Sequence, residues 1–178
     1  MEIPLDIPGV RLRPWRFGDE EALARHADNI KIARYLSGAF PHPYTRSDAR
    51  AFIRSIESTK PPRTLAIEVD GEPCGSIGLV PGADIYEHSA ELGYWLGEAY
   101  WGQGIMTVAT RAITNYGFND LGFRRIYATV FASNLASARV LEKAGYRFEG
   151  RRRNAVIKFG ELMDDLLYAI LPGDVAAE

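Results

Sequence analysis

The sequence predicts a single domain of the α/β or α+β class, in which helices accompany a β-sheet. Three observations carry that expectation. The chain has 178 residues, one domain's length by the usual ~100–200 residues. Its residues are 47% hydrophobic and 25% charged, a globular composition rather than a disordered, collagen-like or coiled-coil one. Its apolar pattern alternates between helical and strand periods, without internal repeats, low-complexity tracts or a long linker.

Each element has its own signal. Val10 to Arg16 reads as a first strand, stopped at Gly18. Asp19 to about Asn29 reads as a helix whose first turn holds Asp19, Glu20 and Glu21, the sign that the helix dipole favours there. Pro41 and Pro43 interrupt the next stretch. Thr45 then opens a helix as its N-cap, with Asp48 in the reciprocal place of a capping box; Ala49, Phe52, Ile53 and Ile56 follow at i, i+3, i+4 and i+7. Leu65–Val69 and Cys74–Val80 read as strands joined by Asp70-Gly71, the strongest short hairpin signal. A third strand, Ala90–Gly97, leads through Glu98–Gly104 into a long helix ending near Asn119. Ile105, Val108, Ala109, Ala112, Ile113 and Tyr116 give that helix one apolar face to pack on the sheet. Arg125–Phe131 reads as a strand, and Ser133 or Asn134 caps a helix from Leu135 to Ala144 that Gly145 stops. Phe148 onward and Leu166–Leu171 read as the last strands.

Composition also excludes classes of function. No apolar stretch approaches the ~20 residues of a membrane span, and the start shows no basic region followed by an apolar block, so no signal peptide is expected. The lone cysteine, Cys74, makes no internal disulfide, which fits a reducing cytoplasm. His26, His42 and His88 lack metal-ligand spacing. A net charge of −2 argues against a general nucleic-acid binder. Yet from Leu121 to Gly160 nine basic residues face only Glu142 and Glu149. This stretch is either a solvated basic face or a surface for a multiply anionic small ligand.

The candidate site is the run of strand, glycine-rich turn and helix around Gly102-Gln103-Gly104. A helix N-terminus leaves backbone N–H groups unpaired, and glycines before it let the backbone close around an anion. The run is neither a Walker loop nor a dinucleotide fingerprint, so it reads as an anion cradle or an ordinary tight turn. About 30 residues on, a strand ending in Phe131-Ala132-Ser133 meets a helix opening with Asn134-Leu135-Ala136-Ser137. Asn134 is there either a plain cap or part of a cleft shared by two helix N-termini.

With AELGYWLGEAYWGQGIMTVA followed by SNLASARVLEKAGYRFEGRRR, the chain resembles the GNAT superfamily of acetyl-CoA-dependent N-acetyltransferases. Within it the likeness is to the bacterial ribosomal-protein alanine and serine N-acetyltransferases. VRLRPWRFGDEEAL and PHPYTRSDARAFI fit the same group, so the likeness covers nearly the whole chain. It implies one α+β GNAT domain over residues 1–178: a mixed, mostly antiparallel sheet flanked by helices, with a splayed central parallel strand pair. The family's turn pattern, Gln/Arg-x-x-Gly-x-Gly/Ala, reads here Trp101-Gly102-Gln103-Gly104-Ile105-Met106, departing from it at its first place, Trp101, and its last, Met106. Amides from Gly102, Gln103, Gly104, Ile105, Met106 and Thr107 would hold the coenzyme A pyrophosphate. Trp95, Leu96 and Gly97 would pair with the pantetheine arm, with the Leu96 N–H near the acetyl carbonyl as an oxyanion donor. Asn134 would hydrogen-bond the pantetheine, and Arg139 and Lys143 would contact the nucleotide.

The resemblance also implies direct attack of an amine on the thioester without an acyl-enzyme, so Cys74 reads as a buried strand residue rather than a nucleophile. Leu141 stands where many relatives place a tyrosine acid, and Val156 near where some place a glutamate base. Ser137 is then the expected donor to the leaving sulfur, its alternative being a cap or solvent serine. Glu91 is the expected base, acting through water, or else a structural glutamate. Tyr168 matches a tyrosine frequent in the last strands and reads as core packing. Phe40, Pro41 and Tyr44 are the expected acceptor wall, or else loop packing under the second helix; the loops 36–44 and 82–89 would set acceptor choice. The implied partners are acetyl-CoA and a primary amine, first a protein N-terminus such as a ribosomal one. Neither a metal, a membrane nor direct nucleic-acid binding is expected, and the protein would work as a cytoplasmic monomer or homodimer. The competing readings are a small-amine acetyltransferase (polyamine, amino acid or aminoglycoside) and a non-catalytic acyl-CoA sensor.

Overall fold

The computed structural model describes residues 1–175. It forms two compact units, one of Met1–Gly78 with Tyr94–Ala109 and one of Leu79–Gly93 with the chain from Thr110 onward.

The first unit holds β1 (Ile3–Pro4), β2 (Val10–Pro14), β3 (Thr64–Val69) and most of β4 (Glu72–Pro81), with α1 (Glu20–Ala27), α2 (Ile30–Ala33) and α3 (Arg46–Ile56). Its strands pair antiparallel in chain order, with Ile3 opposite Leu12, Val10 opposite Val69 and Leu65 opposite Ile77. Asp70 and Gly71 turn β3 into β4 with φ of 48° and 88°, the paired positive values of a type I′ turn. Thr45 caps α3 in the expected reciprocal box: its hydroxyl accepts from the Asp48 N–H at 3.2 Å, and the Asp48 carboxylate accepts from the Thr45 N–H at 2.8 Å. Trp15, Leu23, Ala27, Tyr44, Ala49, Ile53 and Ala66 make the core.

Two boundaries in this unit differ from expectation. β2 stops at Pro14 because the Asp19 carboxylate accepts from the Arg16 N–H at 3.0 Å and bends the chain. α1 stops at Ala27, since Asn29 starts a new helix by accepting from the Lys31 N–H at 2.9 Å. The short β1 had no sequence signal.

The second unit contains the start of β5 (Ser89–Leu96), most of α4 (Ile105–Asn119), β6 (Arg125–Phe131), α5 (Leu135–Lys143), β7 (Arg147–Lys158) and β8 (Glu161–Ile170). β5 and β6 run parallel. β8 lies antiparallel between β6 and β7, and the hydrogen-bonded order of all strands is β1-β2-β3-β4-β5-β6-β8-β7. The fold is thus the expected mixed α+β sheet. Gly117 sits inside a helix, where glycine costs ~1 kcal/mol relative to alanine. A Cβ there would come within 2.7 Å of Ile126 and Leu79, so the glycine lets α4 approach the sheet. Asn134 caps α5, and Gly145 follows it at φ 94°. β8 begins five residues before the expected Leu166, because Asp164 and Asp165 pair across the hairpin with Arg151 and Arg152.

Candidate active site

In the first unit the end of β5 and the following turn are braced by their own side chains. The Trp101 indole donates to the Leu96 carbonyl at 2.7 Å, and the Gln103 amide donates to the Ala99 carbonyl at 3.1 Å. Asn29 and Lys31 both donate to Glu98 and hold its carboxyl below the usual range, Lys31 contributing most. Gly102 and Gly104 take φ of 75° and 78°, the left-handed region that suits glycine. A Cβ at either would meet nothing within 4 Å. Backbone geometry and an open approach therefore favour glycine here, not packing. Among the described residues no protein acceptor takes the amides of Gly102, Gln103, Gly104, Ile105 or Met106. Such a row of donors at a helix N-terminus fits an anionic group.

Two expected contributors are already committed. The Thr107 N–H donates to the Gly104 carbonyl at 3.0 Å, so the donor row ends one residue earlier than expected. The Gly97 N–H donates to the Cys74 carbonyl at 2.8 Å, and its carbonyl accepts from Tyr100 at 3.0 Å. A Cβ at Gly97 would also meet His26 Nδ1 at 2.9 Å. Gly97 is thus a packing glycine whose N–H is already paired. The unexpected Trp101 gains a role as well, as the brace on Leu96.

The expected acceptor wall divides in the same way. Tyr44 is 6% exposed and belongs to the core; burial, aided by the Asp48 carboxylate, pushes its phenol up to about 12. Phe40 and Pro41 are half-buried. Phe40 stands between Tyr44 and Trp95, with ring centroids 4.8 and 6.2 Å away. Phe40 thus links the core residue Tyr44 to Trp95. Cys74 is fully buried and its thiol is pushed up to about 12 by that burial, which leaves no thiolate for nucleophilic attack.

In the second unit Glu91 occupies the last paired position of β5, opposite Tyr127. β6 runs on paired with β8 as far as Phe131 opposite Asp165. The Asn134 side chain accepts from the Ser137 N–H at 3.2 Å. Ser137 is half-buried in the first turn of α5. Arg139 and Lys143 are exposed one turn apart on the same helix, and the Lys143 carbonyl accepts from Arg111 at 2.5 Å. Four of the nine basic residues of the stretch pair with carboxylates: Arg125 with Glu149, Arg147 with Asp174, Arg151 with Asp164 and Arg152 with Asp165. Tyr168 is buried, stacks edge-on with Phe148 and donates to Glu142 at 3.1 Å, a packing role. Beyond the end of β6 an open cavity of about 440 Å³ is lined by Ala132, Ser133, Arg151, Leu162, Met163 and Asp164. Among the described residues no group of three or more metal-ligating side chains occurs, and no helix is long and apolar enough to cross a membrane.

The anion cradle between β5 and α4 and, within the second unit, the parallel β5–β6 pair are features that fit an acyltransferase. Residues 10–147 match the acetyltransferase (GNAT) domain family, and the chain belongs to that family of N-acetyltransferases. It is 30% identical over 161 residues to the uncharacterized N-acetyltransferase YnaD of Bacillus subtilis (strain 168), covering 90% of this chain and 92% of that one. It is 25% identical over 175 residues to spermidine N(1)-acetyltransferase of Escherichia coli (strain K12), covering 95% and 89%. Among solved structures, Mycobacterium smegmatis RimJ in complex with CoA-disulfide superposes with a TM-score of 0.86 at 28% identity, over 100% of this chain and 90% of that one.

Proposed function

We propose that the protein transfers acetyl from acetyl-CoA directly to the N-terminal amine of a protein, within one domain of residues 1–178. The observation that carries the cofactor half is the row of unpaired amides from Gly102 to Met106, set behind two open left-handed glycines. It is supported by RimJ, whose structure holds a CoA-disulfide. In this reading the Gly102–Met106 amides hold the pyrophosphate, the Trp95–Leu96 edge lies along the pantetheine, and Arg139 and Lys143 reach the nucleotide. Glu91 accepts a proton from the attacking amine, directly or through water. The amine nitrogen bonds to the thioester carbon as the carbon–sulfur bond breaks, and Ser137 supplies the proton that the sulfur takes up. A cytoplasmic setting agrees with a lone, fully buried thiol.

Valine at Gly104 tests the cradle. A β-branched residue is strained at φ 78°, and its side chain would project into the open approach to the amides. Gly104→Val should raise the KM for acetyl-CoA about tenfold or more, with the KM for the amine changed less than threefold. Binding of acetyl-CoA to the unaltered protein should weaken as salt rises. Unchanged cofactor affinity in the variant would place the anion site elsewhere.

The acceptor half rests on the motif resemblance and on acid–base chemistry. An α-amine has a pKa of about 7.7–8 and a lysine about 10.4. At pH 7 roughly a tenth of α-amines are already neutral, against fewer than one lysine in a thousand, so a single half-buried carboxylate suits the α-amine better. The spermidine acetyltransferase relative favours a second reading, a small polyamine acceptor. Specificity constants with acetyl-CoA at pH 7 and pH 9 separate the two. Peptides starting with Ala or Ser should lead spermidine, free amino acids and internal-lysine peptides at pH 7, and blocking their α-amine should abolish the signal. A tenfold lead for spermidine would overturn the N-terminal assignment.

A further inference from the structure

We infer that Thr129 is a positioning residue that fixes the Glu91 carboxylate for proton transfer. The inference rests on the reading of Glu91 as the proton acceptor and adds the group that orients it. Glu91 lies opposite Tyr127 in the parallel pair, and Thr129 follows Tyr127 by two residues on the same face of β6. That face is half-buried throughout, at Arg125, Tyr127, Thr129 and Phe131, whereas Ile126, Ala128 and Val130 between them are buried. From this position the Thr129 hydroxyl donates to Glu91 Oε1 at 2.9 Å. Among the described residues no donor reaches Oε2. One oxygen is anchored, and the other is left to take up the amine proton.

The other groups of this unit around Glu91 do not replace Thr129. Tyr127 is held above its ordinary range, first by burial and then by the Glu91 carboxylate, with Arg125 and Arg152 opposing; it stays a neutral phenol. Arg125 is matched by a bidentate pair to Glu149. Arg152, from β7, lies within electrostatic reach of Glu91, yet it makes its own hydrogen bonds to Asp165 of β8, at 2.8 and 2.5 Å. Toward β4 the unit offers Leu79, Val80 and Pro81, none of them titratable. A long carboxylate side chain without an anchor would sample several rotamers, and the threonine selects one.

A hydrogen bond that anchors one carboxylate oxygen keeps the other aimed at the amine, and its loss should cost proton transfer about tenfold. Thr129→Val, which keeps the branched shape and loses only the donor, should therefore lower kcat about tenfold, with the KM for acetyl-CoA changed less than twofold. Thr129→Ala should show the same loss if valine disturbs the strand, and Thr129→Ser should restore turnover. Glu91→Gln should lower kcat at least about a hundredfold, and adding Thr129→Val to it should cost nothing more. A kcat within about twofold of the unaltered protein in both Thr129→Val and Thr129→Ala, while Glu91→Gln keeps its large loss, would overturn the positioning role and leave Glu91 in place. An unchanged kcat in Glu91→Gln would remove Glu91 as proton acceptor, and Thr129 with it. A purely structural strand tie would lower melting temperature without the kcat loss, which also counts against the inference.

Discussion

Methionine in place of Arg13 should destabilise the protein by about 3–5 kcal/mol, the usual consequence of removing one partner from a buried ion network. Arg13 is 2% exposed, and its guanidinium donates to Asp19 at 2.7 and 3.0 Å, to the Pro14 carbonyl at 3.0 Å, and to Glu68. Glu68 is 1% exposed. Burial alone would raise its carboxyl, but donation from Arg13 and Arg11 outweighs this and holds it below the usual range. For a chain of this length the loss corresponds to roughly 6–20 °C in melting temperature. The sign of the pH dependence follows from the depressed carboxyl. A group held down in the fold stabilises it above the unfolded pKa of about 4.3, and that share disappears as pH falls through the folded value. The gap between the two proteins should be full above about pH 4.3 and narrow below it, as pH falls through the lowered folded value. Adding Glu68→Gln to the Arg13→Met variant should return at least about 1 kcal/mol, because the uncompensated charge is the source of the loss. A deficit below about 1 kcal/mol at pH 7.5 would mean that Arg11 alone satisfies Glu68.

That network had no counterpart in the sequence reading, and the reason is physical. Arg13 and Glu68 are 55 residues apart, and their partnership exists only once β2 and β3 are in register. Local signals were legible wherever one segment suffices to decide the outcome. The Asp70-Gly71 turn, the Thr45–Asp48 box and the Asn134 cap with Gly145 all appear as expected. The apolar face of α4 was legible too, since Ile105, Ala109, Ile113 and Tyr116 are buried.

What depends on pairing between segments was misjudged or missed. The basic stretch from Leu121 to Gly160 looked strongly unbalanced because three of its carboxylate partners, Asp164, Asp165 and Asp174, lie beyond it. The site shows the same division. The glycine turn and α5 were legible as motifs, whereas the commitments of the Gly97 and Thr107 amides are matters of geometry. The approach of Thr129 to Glu91 needs the parallel register, which no local pattern encodes.

Ser137→Ala should lower kcat by about 10²–10⁴-fold, the range typical of general acid help, with acetyl-CoA affinity changed less than twofold. Ser137 contributes its backbone N–H to the Asn134 cap at 3.2 Å, and alanine keeps that bond. Alanine is also the better helix former, and a melting temperature measured beside kcat separates lost turnover from lost stability. The tyrosine acid of other relatives has no substitute at its usual place, because Leu141 is fully buried there. A hydroxyl in the first turn of a helix further benefits from the partial positive charge of the N-terminus, which favours a developing thiolate beside it. The basic limb of the kcat profile should become shallower as well, since a sulfur without a proton donor depends on solvent. A loss under about threefold would reduce Ser137 to a positioning role and leave the helix dipole and water to assist the departing sulfur.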